Sequence, residues 1–276
     1  MTEIASSLTR TVARQYDLFQ TSLETIGRAR KFLNYGFTVT GDESMEDRQQ
    51  RLCLEVFAAA GIRPGHLVVD VGFGSGEQDF LLTRTAAFER LVGFNISDRQ
   101  VRYAAARARD ERLDAKLTFR LGEAESLPGI ADASVDRLIA IECAFYFDRP
   151  RFYRRAAEVL KPGGLLVAAD IALSDRLAFL MRREDLRRVG TSTGNRREWE
   201  RWFRTRSVRR INREARPGVQ LSVWQILEQA PFRHLSAAER REWLKMAYYS
   251  QLVALGLWLE LVRYDLVVLE KVERNR

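Results

Sequence analysis

Between residues 66 and 171, short apolar runs alternate with segments of helical periodicity, and that alternation limits the fold more than any other feature of the chain. Residues 66–71, 90–95, 117–121, 135–141 and 164–171 read as strands. Such runs suit a parallel sheet whose two faces are both covered by helices. Helices are expected between them at 77–85, 98–111 and 149–160, and ahead of them at 46–60, where Gly61 and Pro64-Gly65 supply a stop. Residues 261–272 alternate in polarity like a last strand with no helix after it. Leu8, Val12, Tyr16 and Phe19, spaced by three or four, point to one or two helices over 8–33. A turn-rich loop follows at 34–44.

A less regular stretch, 174–258, holds all five tryptophans: Trp199, Trp202, Trp224, Trp243 and Trp258. Ser236 and Glu239 spell a capping box for a helix ending near Trp258. At 276 residues the chain can bury one substantial core with an elaborated cap. No apolar run reaches the ~18–20 residues of a membrane span, and the first residues lack a signal-peptide stretch, so a cytoplasmic location is expected. Cys53 and Cys143 offer neither a disulfide framework nor a four-ligand zinc site, His66 and His234 are the only histidines, and no metal is expected unless a diphosphate substrate brings magnesium. The net charge of +8 comes almost entirely from arginines spread from Arg10 to Arg276 among acids. That pattern reads as a solvated surface with no nucleic-acid partner. The densest run, 204–216, is the one place where an anionic group could be held.

After the first strand comes Val69-Asp70-Val71-Gly72-Phe73-Gly74-Ser75-Gly76, which opens a helix. Glycines at such a turn let the backbone bend sharply and a ligand come close. A dinucleotide loop needs glycine three places after Gly74, and Glu77 stands there. A Gly-Lys-Ser/Thr phosphate loop is absent as well. The loop therefore suits a ligand without phosphate.

At this point the chain resembles class I S-adenosylmethionine-dependent methyltransferases of the small-molecule, natural-product type. Val69 to Gly76 is similar to their first motif, and the later landmarks follow in order. These are Val92 to Ser97 with Gln100, Gly122-Glu123-Ala124, Asp136 to Phe147, and Leu160-Lys161-Pro162-Gly163-Gly164. The resemblance covers about residues 30–172 and implies an α/β, Rossmann-like, seven-stranded, mostly parallel sheet with helices on both faces and a helical lid and cap. It divides the chain into a lid at 1–45, a cofactor-binding core at 46–173, a substrate cap with late core elements at 174–260, and a last core strand at 261–276.

The resemblance makes S-adenosyl-L-methionine the cofactor. It assigns Asp70, Gly72 and Gly74 to its methionyl part, Asn95 to the ribose hydroxyls, and Glu123 and the Ala124 amide to the adenine edge, with Gly76, Ile96 and Ile141 also binding the cofactor. Gln100 either assists Asn95 or completes a capping box with Ser97, because Ser-x-x-Gln is that signature.

Methyl transfer from a sulfonium is an in-line displacement that needs mainly proximity and alignment. What further help it needs depends on the acceptor atom. Related sugar O-methyltransferases carry a histidine base where this chain has Phe145 and Tyr146. Glu142 remains, at a position that is also acidic in sterol, tocopherol and prenyl C-methyltransferases. A carboxylate beside Phe145 and Tyr146 can stabilise a developing cation and take the final proton; alternatively Glu142 bonds the cofactor or a nearby amide. The resemblance thus favours C-methylation of an isoprenoid or prenylated olefin in secondary metabolism, similar to sterol-, prenyl- and teleocidin-type enzymes, with N- or O-methylation as the alternative. Tyr16, Tyr35, Phe37, Trp202 and Trp224 either surround this hydrophobic substrate or pack in the core. The apolar N-terminal helix suggests a homo-oligomer.

Overall fold

The alternation folds into one sheet. The computed structural model describes residues 7–25, 32–180, 188–229 and 235–272. Two helices come first, α1 (Ser7–Thr25) and α2 (Met45–Ala60). Then follow β1 (Leu67–Val71), α3 (Glu77–Thr85), β2 (Arg90–Asn95), α4 (Asp98–Asp110), β3 (Leu117–Leu121), β4 (Val135–Ile141), α5 (Arg149–Val159) and β5 (Leu160–Leu173). The last part holds α6 (Ser192–Trp199), β6 (Phe203–Arg210), α7 (Asn212–Gln229), α8 (Ala237–Trp258) and β7 (Val262–Lys271).

The strand order is β3-β2-β1-β4-β5-β7-β6, with only β7 running against its neighbours. This is the Rossmann-like seven-stranded arrangement that was expected. Residues from α2, α3, α4, α7 and α8 share one apolar core, and residues from α5 and α6 share another with the opposite face. Both faces of the central strands are thus dry, which is why β1 and β4 are apolar almost throughout.

Local chemistry sets the helix ends. Ser44 and Asp47 form a capping box for α2, and Gly61 closes it at φ 55°. Ser236 and Glu239 do the same at the start of α8. Helix α1 is held by its own apolar side: the Phe19 ring lies 4.7 Å from that of Trp243, and Leu23 and Leu235 complete that small cluster.

Within the stretch expected to combine a cap with late core elements, residues 203–210 form β6, the edge strand beside β7. Its basic side chains line that edge, where Arg204 and Arg206 both grip Glu270, and Arg209 reaches Glu55 at 2.9 Å. The arginine run therefore serves mostly to pair with acids along an exposed edge, a usual way of blunting one.

Candidate active site

Ligands of open α/β sheets bind beyond the carboxyl ends of the strands, and here the loops after β1, β2, β3 and β4 meet in a cleft. Gly72, with φ 73°, donates its N–H to Phe94 O at 2.7 Å. A Cβ there would stand 2.6 Å from Cys143 Cβ, so only glycine brings the loop this close to β4. Gly74, at φ 61°, faces the cleft beneath Leu33. Gly76 lies behind it, capping α3 against Ala104 and Phe80. Asp70 does not reach the cleft. It is fully buried under the loop, where its Oδ2 accepts from Gln78 Nε2 at 2.5 Å, and Gln78 is the residue that faces the cavity. Burial lifts the Asp70 carboxyl to about 7, against hydrogen bonds from Asp79 and Gln78 that pull it down, and burial followed by the charge of Asp70 lifts Asp79 well above the usual range.

At the end of β2 the amide pair is oriented by its neighbours. Asn95 Nδ2 donates to Gln100 Oε1 at 2.8 Å, and Asn95 Oδ1 accepts from Ser97 N at 3.1 Å. Ser97 Oγ caps α4 by accepting from Gln100 N at 3.1 Å. Only half of a capping box is present: the Gln100 side chain turns to Asn95 instead of folding back on Ser97. Its Nε2 is left buried on the cleft wall with no hydrogen-bond partner among the described residues. Asp17 of α1 accepts from Ser97 Oγ at 2.6 Å and ties the lid to this corner. Ile96, Ala124 and Ile141 line the cleft as expected; after β3 the acidic residue on its wall is Glu125, whereas Glu123 is not part of the lining. Glu125 accepts from Asp148 N at 2.8 Å, and burial raises its carboxyl.

Glu142 follows β4 with a left-handed backbone, φ 51°, a conformation costly for a non-glycine residue and frequent at functional sites. Its Oε1 accepts from Tyr35 N at 2.7 Å and from the Tyr264 hydroxyl, while Oε2 has no partner among the described residues. Burial pushes the carboxyl up to about 8; the two hydrogen bonds pull it down, and Asp170 adds to the rise. Next to it, Cys143 donates its thiol to Val71 O at 3.0 Å and packs, as its burial implies.

A second chamber of about 490 Å³ opens beyond Glu142. Tyr16, Asn34, Glu142, Tyr146 and Arg188 line both cavities and so form the throat between them. Tyr16 and Tyr146 join hydroxyls at 3.2 Å with their rings edge to face, and Phe145 lies 4.3 Å from Tyr146. Tyr35 lines the larger chamber, with its hydroxyl 3.5 Å from Ser250 Oγ. Phe37 is elsewhere, buried in the core beneath Arg209, and Trp202 packs against the far face of the sheet. The Trp224 side chain lies outside the described residues.

Four residues at the throat or behind it were not singled out from the sequence. Asn34 keeps a buried Oδ1 with no partner among the described residues, Arg188 donates to Tyr146 O at 2.6 Å, Trp243 forms chamber wall, and Tyr264 holds Glu142. Each comes from a segment remote from the glycine loop, so no local motif marks it.

Residues 69–168 match the family described as methyltransferase domain. This stretch is a methyltransferase domain, and the donor of such domains on this fold is S-adenosyl-L-methionine. The chain is 38% identical over 157 residues to the erythromycin 3''-O-methyltransferase of Saccharopolyspora erythraea, a match covering 56% of this chain and 51% of that protein. The chain thus spans about half the length of that relative. Other curated relatives include a fungal O-methyltransferase and sterol 24-C-methyltransferases. Among solved structures, the [4+2]-cyclase SpnF superposes with a TM-score of 0.79 at 21% identity, covering 95% of this chain and 96% of that one. Geranyl diphosphate C-methyltransferase from Streptomyces coelicolor gives 0.70 at 15% identity, covering 97% and 99%. These two likenesses concern the fold.

The cleft fits the cofactor on its own evidence. Among the described residues, Gln100 Nε2 is a buried donor and Asn34 Oδ1 a buried acceptor without partner, and both residues line the cleft, where a polar ligand would satisfy them.

Proposed function

We propose that this chain transfers a methyl group from S-adenosyl-L-methionine to a carbon of a bulky, mainly apolar natural product, an isoprenoid or prenylated olefin. The observation that carries the reading is the position of Glu142, at the throat between the cofactor cleft and an aromatic chamber. The bound cofactor supplies the methyl group as a sulfonium substituent. Asn95, Gln100 and the glycine loop hold and orient the nucleoside, while the apolar wall excludes water and positions the acceptor.

Positive charge that develops on an olefin next to the throat meets the faces of Tyr16, Phe145 and Tyr146 and the carboxyl of Glu142. The free Oε2 is then placed to receive the departing proton. No histidine among the described residues lines either cavity, which fits an acceptor that needs no imidazole. The test is incubation with a deuterium-labelled methyl donor and a panel of prenylated compounds, with products read by NMR. Label on carbon supports the reading; label confined to oxygen or nitrogen overturns it.

A second reading, O-methylation, rests on the carboxyl of Glu142 near 8. A base matched to neutral pH can take a hydroxyl proton, and the 38% identical relative is named for an O-methylation.

A further inference from the structure

Among the described side chains of α1, Val12, Ala13, Phe19 and Leu23 are buried. An uncovered apolar face is on α8. Leu244, Tyr248, Leu252, Leu255 and Leu259 are exposed at intervals of four, four, three and four, and Trp258 flanks them at 63% exposure. The inward face of the same helix supplies Trp243, Met246, Ser250 and Val253 to the acceptor chamber. So α8 is apolar on two opposite sides, and among the described residues nothing covers the outer one.

We infer that this outer face joins two copies of the chain, with their α8 helices packed antiparallel about Leu252. The stripe spans about 22 Å at 1.5 Å per residue, and its spacing is the near-heptad one of a helix-to-helix seam. Exposed aromatic rings hide ~150–250 Å² each when covered. Adding Tyr249, the face then offers roughly 700 Å², above what a monomer usually exposes and near the ~800 Å² per partner of a stable interface.

The pattern is self-complementary, as an isologous contact requires. With Leu252 on the axis, Tyr248 meets Leu255 of the second copy and Leu244 meets Leu259. Both ends carry mixed charge: Arg240 and Arg241 are exposed at one, between Glu239 and Glu242, and Glu260, 3.9 Å from Arg210, is exposed at the other, so Arg241 of one copy falls beside Glu260 of the second. A bilayer offers no such pairing and would favour basic residues flanking the whole stripe. The second copy would then seal the outer wall of the chamber, where Tyr249 both lines the cavity and reaches the surface.

The test uses the full chain and needs no substrate. Cys53 and Cys143 are buried, so a Leu252→Cys variant carries one accessible thiol. Mild oxidation is expected to give a covalent dimer, whereas the control Arg154→Cys, on α5, stays monomeric. Light scattering across a dilution series should show a dimer whose dissociation constant rises at least tenfold in Leu252→Glu and in Arg241→Glu. Adding Glu260→Arg to Arg241→Glu should restore association, which no folding defect would do. A wild-type chain that is monomeric throughout, a dimer indifferent to Leu252→Glu, or a monomer that sediments with anionic vesicles would each overturn the inference.

Discussion

Tyr264, in the last strand, donates its hydroxyl to Oε1 of Glu142, the oxygen that also accepts the Tyr35 amide. Lid, β4 and β7 therefore meet at one carboxyl. Removing the hydroxyl in Tyr264→Phe takes away a bond that favours the ionised form, so the Glu142 carboxyl should titrate higher still. If Glu142 accepts a proton in the reaction, the rate rises with pH through about 8. The rising limb of kcat should then move to higher pH in the variant, with activity near neutral pH down about tenfold or more. A limb that stays in place would remove Glu142 from proton transfer.

Asp70 and Asp79 stand as a buried acidic pair beneath the glycine loop, both with raised proton affinity. A raised folded-state value means that the native chain holds protons the unfolded chain releases, so stability is full at low pH and declines as pH climbs. The decline should begin near the ordinary carboxylate range of ~4 and continue past about 7. In Asp79→Asn the like-charge neighbour is gone, and thermal melts between pH 5 and 9 should vary less with pH than those of the wild type. An unchanged slope would show that the pair does not govern this range.

Gly72→Ala should abolish cofactor binding. The added carbon would lie 2.6 Å from Cys143 Cβ in a backbone conformation that alanine disfavours. Circular dichroism should still show a folded sheet, while affinity for S-adenosylhomocysteine falls more than tenfold. Wild-type affinity would mean that the loop does not approach the ligand.

Gln100→Leu separates binding from capping. The cap bond of α4 runs from the Gln100 backbone to Ser97 Oγ and survives the change, so the melting temperature should barely move. Loss of a neutral donor at a diol costs ~0.5–1.5 kcal/mol, and affinity for the nucleoside should fall roughly three- to tenfold. A large drop in melting temperature with unchanged affinity would assign Gln100 to the helix alone.

Much of this was legible beforehand because punctuation in the chain is local. Gly61, Ser236 with Glu239, and the glycine loop fix helix ends through their own backbone bonds, and α3 and β2 begin and end where the pattern placed them. β6 was not, since an edge strand carries charges on both sides and loses the alternation that betrays a strand. In the site, Asn95, Gln100 and Glu142 follow strand ends and could be counted along the chain. Tyr264, Asn34 and Arg188 reach Glu142 or the throat only through tertiary packing. Asp70 acts one step removed, through Gln78, because a side chain at the end of β1 points under the loop and not over it.

The proposed methyl transfer requires the β1 loop to hold the donor, and calorimetric titration of the folded chain with S-adenosylhomocysteine reads that contact. A saturable, one-to-one heat that disappears in Gly72→Ala is the expected result. Absence of heat from folded wild-type protein, or an equal heat from the variant, would contradict it.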